Sequence, residues 1–117
     1  MHHKDLEVYK KAVDFVVRVY ELTKSFPKDE VYGLTSQLRR AAVSIPSNIA
    51  EGCARYSEKE TKNFVNVAFA SLVEVETQLE IALKLGYIKE DSAFDKEFNA
   101  LKSLLLGFKK HLECTKK

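Results

Sequence analysis

SIPSNIAEG, residues 44–52, places a proline and a glycine inside a segment whose apolar residues recur at helical spacing. A proline within a helix removes one hydrogen bond and crowds the carbonyl four residues earlier, at a cost of roughly 3 kcal/mol. Pro46 therefore leaves the carbonyl of Ala42 without its usual donor. Either the helix ends and restarts, with Asn48 as its cap and Glu51 as the reciprocal partner, or it continues with a kink. A restarted helix would have only about seven residues, which is short, so we expect the kink at Pro46.

A polar stripe runs beside the apolar stripe of this second helix, which we predict over residues 35–54. Its members recur at intervals of three and four, as residues on one helical face do. We expect a structural polar network here, in which Ser and Asn side chains satisfy loosened backbone groups. Arg40 and Glu51 are its expected ion pair, and Glu74 of the next helix is either partly buried and paired with an arginine or exposed. The predicted members of the network are Arg40, Ser44, Asn48, Glu51 and Glu74.

The first predicted helix, residues 5–26, carries more apolar surface than one bundle core requires. Two adjacent apolar stripes run along it, the first made of Leu6, Tyr9, Val13, Val16 and Tyr20 and the second of Val8, Ala12, Phe15, Val19, Leu22 and Phe26. A helix in a lone bundle buries a face only about 100° wide. The breadth therefore indicates that part of this helix meets another subunit.

Start and stop signals delimit two further helices. Ser57 with Glu60 three residues later is a capping box, and Gly86 is a typical stop, so the third helix lies between them. Asp91–Ser92 starts the fourth helix, whose apolar seam alternates steps of four and three. The connections are short and no segment has the period of a strand. The sequence therefore predicts an all-α protein with one domain over residues 1–117, an antiparallel up-down-up-down four-helix bundle with a kinked second helix.

Composition excludes several classes of protein. With 45% hydrophobic and 31% charged residues, the chain is expected to be globular rather than disordered. The N-terminus lacks the apolar core of a signal peptide, and no apolar run approaches the roughly 20 residues that a membrane helix needs. We therefore expect a cytoplasmic protein with no membrane partner. Its two cysteines, Cys53 and Cys114, are expected to be free thiols.

The sequence contains no pattern that points to catalysis or to a metal site. His2 and His3 are far from His111, no Cys and His residues have metal-type spacing, and the Glu-x-x-His pairs of di-iron bundles are missing. Ser44 and Ser47 have no histidine in their helix that could act as a base. We therefore predict a non-enzymatic protein that takes no cofactor, metal or small-molecule substrate.

Basic residues form two local sets in a chain whose formal net charge is only +2. Such a small net charge does not by itself indicate nucleic-acid binding, so any basic surface has to be local. The first set is Arg39 and Arg55 on the second helix, and the second is Lys109 and Lys110 near the end of the fourth. We predict these four residues as candidates for binding nucleic acid or a partner. The alternative for the two lysines is compensation of the helix dipole, together with a soluble tail at Lys116–Lys117.

Two long runs of the sequence resemble a known family. They are QLRRAAVSIPSNIAEGCARYSEKE, residues 37–60, and FVNVAFASLVEVETQLEIALKLGYI, residues 64–88. Both are similar to the four-helix-bundle family of bacterial ribosomal-RNA intervening-sequence proteins, which also takes in the accessory variability proteins of diversity-generating retroelements. The resemblance covers nearly the whole chain, and Arg39–Gly52 is its most specific part.

The resemblance implies a cytoplasmic four-helix bundle without known catalysis that assembles into a homopentameric ring. The similar retroelement proteins bind their reverse transcriptase and nucleic acid through a basic surface of the ring. The intervening-sequence members are named for being encoded within inserts in large-subunit ribosomal RNA genes. The net charge of +2 departs from the strongly basic character of the accessory proteins.

Two functions follow as hypotheses. The first is a non-enzymatic, ring-forming homo-oligomer that presents a surface for RNA, DNA or a nucleic-acid-processing partner such as a reverse transcriptase. The alternative is a purely structural or protein-binding oligomer with no nucleic-acid role. Basic residues that gather on one face favour the first, and scattered ones favour the second.

Overall fold

A computed structural model of the protein describes residues 2–114. Within this range the chain forms four long helices and no strand, which confirms the predicted all-α, four-helix fold. Only the backbone of residues 113 and 114 is described, so the predictions for the Cys114 thiol and for the tail at Lys116–Lys117 fall outside what the structure describes. The helices are α1 (Glu7–Thr23), α2 (Leu34–Cys53), α3 (Glu58–Lys84) and α4 (Ser92–Cys114), and 3₁₀ turns at His3–Asp5 and Lys28–Glu30 precede α1 and α2.

The helices enclose one apolar core to which all four contribute. Helices α1 and α3 each pack against both α2 and α4, and the contact between α2 and α3 is the most extensive. Of the two apolar stripes on α1, the second supplies the core, because Val8, Ala12, Phe15 and Val19 are buried. The first stripe stays partly or largely exposed at the bundle surface.

Helix α2 continues through Pro46. It runs without interruption from Leu34 to Cys53, and Pro46 is buried inside it. The alternative of a helix that ends and restarts at Asn48 is therefore wrong. The kink at Pro46 and the antiparallel order of the helices stay predictions.

The ends of α3 and the start of α4 have the predicted capping groups. The Ser57 hydroxyl accepts a hydrogen bond of 3.1 Å from the amide of Glu60. At the other end, Gly86 has a φ of 79°, a conformation that glycine adopts without strain. The amides of Gly86 and Tyr87 donate to the carbonyls of Leu83 and Ala82, which is the Schellman arrangement. The carboxylate of Asp91 then caps α4 through the amides of Ala93 and Phe94.

Candidate functional site

A polar groove lies between α2 and α3 and has a volume of about 550 Å³. Ser44 of α2 and Ser71 of α3 meet in this α2–α3 groove, with 2.8 Å between their hydroxyl oxygens. The side-chain amide of Asn48 donates to both the carbonyl and the hydroxyl oxygen of Ser44, at 2.8 Å each. The serine pair therefore links the two helices that share the largest contact. The groove is lined by Tyr32, Ser36, Gln37, Arg40, Ala41, Ser44, Ser71 and Glu74.

The predicted polar network is present only around Ser44 and Asn48. Glu51 accepts a hydrogen bond of 2.9 Å from Arg55, one helical turn away. The expected ion pair between Glu51 and Arg40 is therefore wrong. Eleven residues along a helix amount to roughly 16 Å, which is too far for a direct contact. Arg40 makes no hydrogen bond or ion pair with another residue that the structure describes.

Glu74 lies at the edge of the α2–α3 groove and is exposed. Its carboxylate accepts a hydrogen bond of 3.2 Å from the side-chain amide of Gln78, so of the two predicted alternatives the exposed one is correct and the partly buried pairing with an arginine is wrong. The other end of that amide, the Gln78 oxygen, is buried without a partner among the described residues. Arg40 and Glu74 thus give the groove one charge of each sign, both open to solvent.

The α2–α3 groove lacks the parts of a nucleophilic centre. Among its lining residues, all of which the structure describes, there is no histidine to activate a serine, and the Ser44 and Ser71 hydroxyls bond each other. Cys53 is no better placed, because partial burial raises the pKa of its thiol and a thiolate is the reactive form. Among the side chains that the structure describes, those of residues 2–112, no group of His, Cys, Asp or Glu could hold a metal ion.

The candidate basic residues are engaged with aromatic rings of their own chain. Arg39 stacks on Tyr20 at 4.5 Å from the ring centre and donates a hydrogen bond of 2.8 Å to the hydroxyl of Thr23. Arg55 lies 4.7 Å from the ring centre of Phe64. These contacts fix both guanidinium groups against the bundle while leaving part of each in solvent, as cation–π contacts at a surface do.

The four candidates do not gather in one patch of the subunit. Arg39 lies in α2, whereas Arg55 lies just past its end, so roughly 21 Å of helix between residues 39 and 53 separates them. Lys109 lies on a different ring, with its ammonium group 5.0 Å from the centre of Phe69 on α3. Lys110 is exposed next to it in sequence. Phe64 and Phe69 are only five residues apart on α3, so Arg55 and Lys109 lie towards the same end of that helix and Arg39 lies apart from them.

Apolar surface is exposed on both α1 and α2, which pack against each other. The Arg39 guanidinium of α2 stacks on the Tyr20 ring of α1, and Val43 lies one turn from Arg39 on α2. Four side chains of this surface are exposed, by 37% at Val13, 54% at Val17, 40% at Tyr20 and 39% at Val43. We call these four the α1–α2 apolar face. Val13 and Tyr20 belong to the first apolar stripe that the sequence predicted on α1. Val17 and Val43 belong to no predicted stripe.

None of the helices in the described residues combines the length and the apolar character needed to cross a bilayer. Large exposed apolar patches mark contact sites on many proteins.

Comparisons with known proteins agree on the fold. The model of the 23S rRNA-intervening sequence protein family matches residues 4–107. A solved structure, that of a protein with unknown function from the S23 ribosomal protein family from Bacteroides thetaiotaomicron VPI-5482, superposes with a TM-score of 0.80 at 24% sequence identity. The match covers 94% of this chain and 99% of that one. Among curated proteins, none matches this sequence.

Proposed function

This chain belongs to the family of 23S rRNA-intervening sequence proteins, and from that membership we propose that it is a non-enzymatic homo-oligomer. Its subunits meet through the α1–α2 apolar face. The resulting ring, a pentamer, presents a surface to nucleic acid or to a nucleic-acid-processing partner. The observation that carries the proposal is the exposure of Val13, Val17, Tyr20 and Val43 on two adjacent helices.

The apolar face supports a contact between copies for a physical reason. Val17 leaves 54% of its surface in water although it lies in the middle of α1. Burying apolar area contributes roughly 25 cal/mol per Å², and in a closed ring, whose contacts are head-to-tail, every subunit buries this face against a different surface of its neighbour. Tyr20 of this face stacks on Arg39, and both residue types are enriched among the residues that dominate binding at protein interfaces.

The variant Val17→Asp tests the assembly. A carboxylate in an apolar contact loses its hydration without gaining a partner, so the subunit dissociation constant should rise about tenfold or more, which corresponds to ~1.4 kcal/mol. Light scattering coupled to size-exclusion chromatography reports this as a shift to lower mass. Val73→Asp is the matched control, because Val73 is 43% exposed on α3, away from the α1–α2 apolar face. Equal masses for unmodified protein and Val17→Asp would exclude this face as the contact.

The nucleic-acid part of the proposal rests on Lys109 and Lys110. A symmetric ring repeats this pair in every subunit, and repeated weak patches around one axis add up to a stronger field. Replacing both lysines with alanine should weaken retention on structured RNA and reduce the dependence of log Kd on log salt, by roughly one unit for each phosphate that the protein no longer neutralises. The control replaces Lys89 and Lys96, two exposed lysines near the other end of α4.

The result of the RNA experiment separates the two hypotheses. No retention of the unmodified protein even at low salt would overturn the nucleic-acid part and leave the oligomer standing. The second candidate function, a structural or protein-binding oligomer, is favoured by one observation. Arg39, Arg55 and Lys109 each contact a different aromatic ring of their own subunit, and roughly 21 Å of α2 separates Arg39 from Arg55.

A further inference from the structure

A second cleft opens between α3 and α4 near the connection that joins them. It has a volume of about 350 Å³, within the size range of pockets that bind ligands or partner side chains. Leu79 and Leu83 of α3 form one wall, Phe94 and Phe98 of α4 form the other, and Leu22 of α1 reaches it from inside the bundle. We call it the α3–α4 cleft. Its walls are apolar, and Leu83 at the opening is 38% exposed.

Carboxylates surround this apolar cleft. Five of its lining side chains are acidic and one, Lys89, is basic, although the whole chain has a net charge of +2. Two of the five have partners within the fold: Asp91 caps α4, and the carboxylate of Glu76 lies 3.8 Å from the ammonium group of Lys102. The other three make no hydrogen bond or ion pair with any residue of the described range. The five are Glu76, Glu80, Glu90, Asp91 and Asp95.

The carboxylates form a row on each side of the cleft. Glu76 and Glu80 are four residues apart on α3, and Asp91 and Asp95 are four residues apart at the start of α4. Residues at this spacing lie about 6 Å apart on one helical face. Glu80 also lies near the C-terminal end of α3, where a negative charge meets the negative end of the helix dipole.

We propose that the α3–α4 cleft binds a basic, amphipathic segment of a partner protein. Apolar side chains of the segment enter between the leucine and phenylalanine walls, and its lysines or arginines meet the two rows of carboxylates. A helical segment that carries cations one turn apart can place a positive charge against each row of carboxylates. A single small cation can neutralise only one row. Amphipathic helices dock into apolar grooves in this way. Nucleic acid is a poor occupant, because phosphates and these carboxylates repel each other.

The probe for this proposal is a synthetic amphipathic helix of leucine and lysine, with the same helix carrying glutamate in place of lysine as its counterpart. Calorimetric titration of the full chain should show saturable binding of the lysine helix and none of the glutamate helix. Glu80→Gln combined with Asp95→Asn should weaken binding about tenfold or more, since close charge pairs carry much of such an interaction.

The matched control is Asp14→Asn combined with Glu58→Gln. It also removes two exposed carboxylates, one of them in the first turn of a helix, but neither lines the cleft. It should change the affinity by less than about twofold, as expected for charges screened by solvent over such a distance. A control that weakens binding as much as the cleft variant overturns the proposal, because the attraction is then general.

Two further measurements locate the binding. Amide chemical shifts of the unmodified protein should change at Leu79, Leu83 and Phe98 on addition of the lysine helix, and changes confined to other surfaces overturn the proposal. The mass of the assembled protein should be the same with and without the Glu80 and Asp95 replacements. A changed mass means that the cleft is occupied by a second copy of this chain, which also overturns the proposal. Competition by structured RNA for the lysine helix site does so as well.

Discussion

At the scale of single residues, Glu30 joins the two connections at one end of the bundle. Its carboxylate accepts a hydrogen bond of 3.0 Å from the amide of Leu34, the first residue of α2. It also accepts one of 2.8 Å from the hydroxyl of Tyr87, which follows α3. The Leu34 amide and then the Tyr87 hydroxyl hold the pKa of Glu30 below its usual value. The same contact raises the pKa of Tyr87.

The lowered pKa of Glu30 predicts that the protein loses stability as the pH falls. A carboxylate with a lower pKa in the folded than in the unfolded chain stabilises the fold above the unfolded value, about 4.3 for glutamate, and loses that contribution as the pH falls through the folded value. The free energy of unfolding should therefore fall below about pH 4, and Glu30→Gln should flatten this part of the curve. Urea titrations between neutral pH and acid provide the measurement. Asp14→Asn, which removes an exposed carboxylate within α1, is the control; equal slopes for the two variants would contradict the role of Glu30.

The polar stripe of α2 shows which side-chain contacts can be predicted from residue spacing and which cannot. Spacing correctly placed Ser44 and Asn48 on one face, and they bond each other. Spacing could not identify the hydrogen-bond partner of Glu51. Arg55 is four residues from Glu51 and bonds its carboxylate, whereas Arg40 is eleven residues away and too far for a direct contact. Ser71, which bonds Ser44 at 2.8 Å, comes from another helix. Its role depends on how α2 and α3 dock, which no local pattern encodes.

At the scale of the elements, the contact between α2 and α3 depends on a glycine. A Cβ atom placed on Gly52 would lie 3.1 Å from the Cβ of Phe64 and 3.1 Å from the carbonyl oxygen of Thr61. The Thr61 hydroxyl donates a hydrogen bond of 2.7 Å to the carbonyl of Gly52, which holds the start of α3 in place. Gly52 therefore permits a close approach of the two backbones.

Gly52→Ala should destabilise the protein. Overpacking costs about 1–3 kcal/mol, and the better helix propensity of alanine offsets about 1 kcal/mol of this, so we expect a net loss of about 1 kcal/mol in the free energy of unfolding. Chemical denaturation at a fixed protein concentration measures it. Gly107→Ala on α4 is the control, since a Cβ there meets no atom within 4 Å, and it should be neutral or stabilising. The close approach would be refuted if both alanine variants were equally stable.

The caps of α3 and α4 were the most predictable features of the helices, whereas α1 ends at Thr23 and not at the predicted residue 26. Ser57, Gly86 and Asp91 act as their residue types indicate, because capping depends on a few neighbouring backbone groups. The path of α2 around Pro46 was the harder question. Propensity alone left two outcomes open, and the continuous helix shows that burial of Ile45, Pro46 and Ile49 in the core outweighs the missing hydrogen bond.

At the scale of the whole molecule, different surfaces of the bundle carry different chemistry. The α1–α2 apolar face exposes four large apolar side chains, the α3–α4 cleft is bordered by carboxylates, and Lys109 and Lys110 lie near the end of α4. Sequence periodicity indicated the first of these through the surplus apolar stripe of α1. It could not indicate the cleft, because its walls come from three helices and its carboxylates looked like ordinary solvated charges.

The central claim is that this bundle is a homo-oligomer assembled through the α1–α2 apolar face. Sedimentation equilibrium of the unmodified chain, measured over a wide range of concentrations, tests it most directly. We predict a single closed species with a mass of five times the 13.3 kDa of the chain, which Val17→Asp dissociates. A mass of 13.3 kDa at every concentration would contradict the claim.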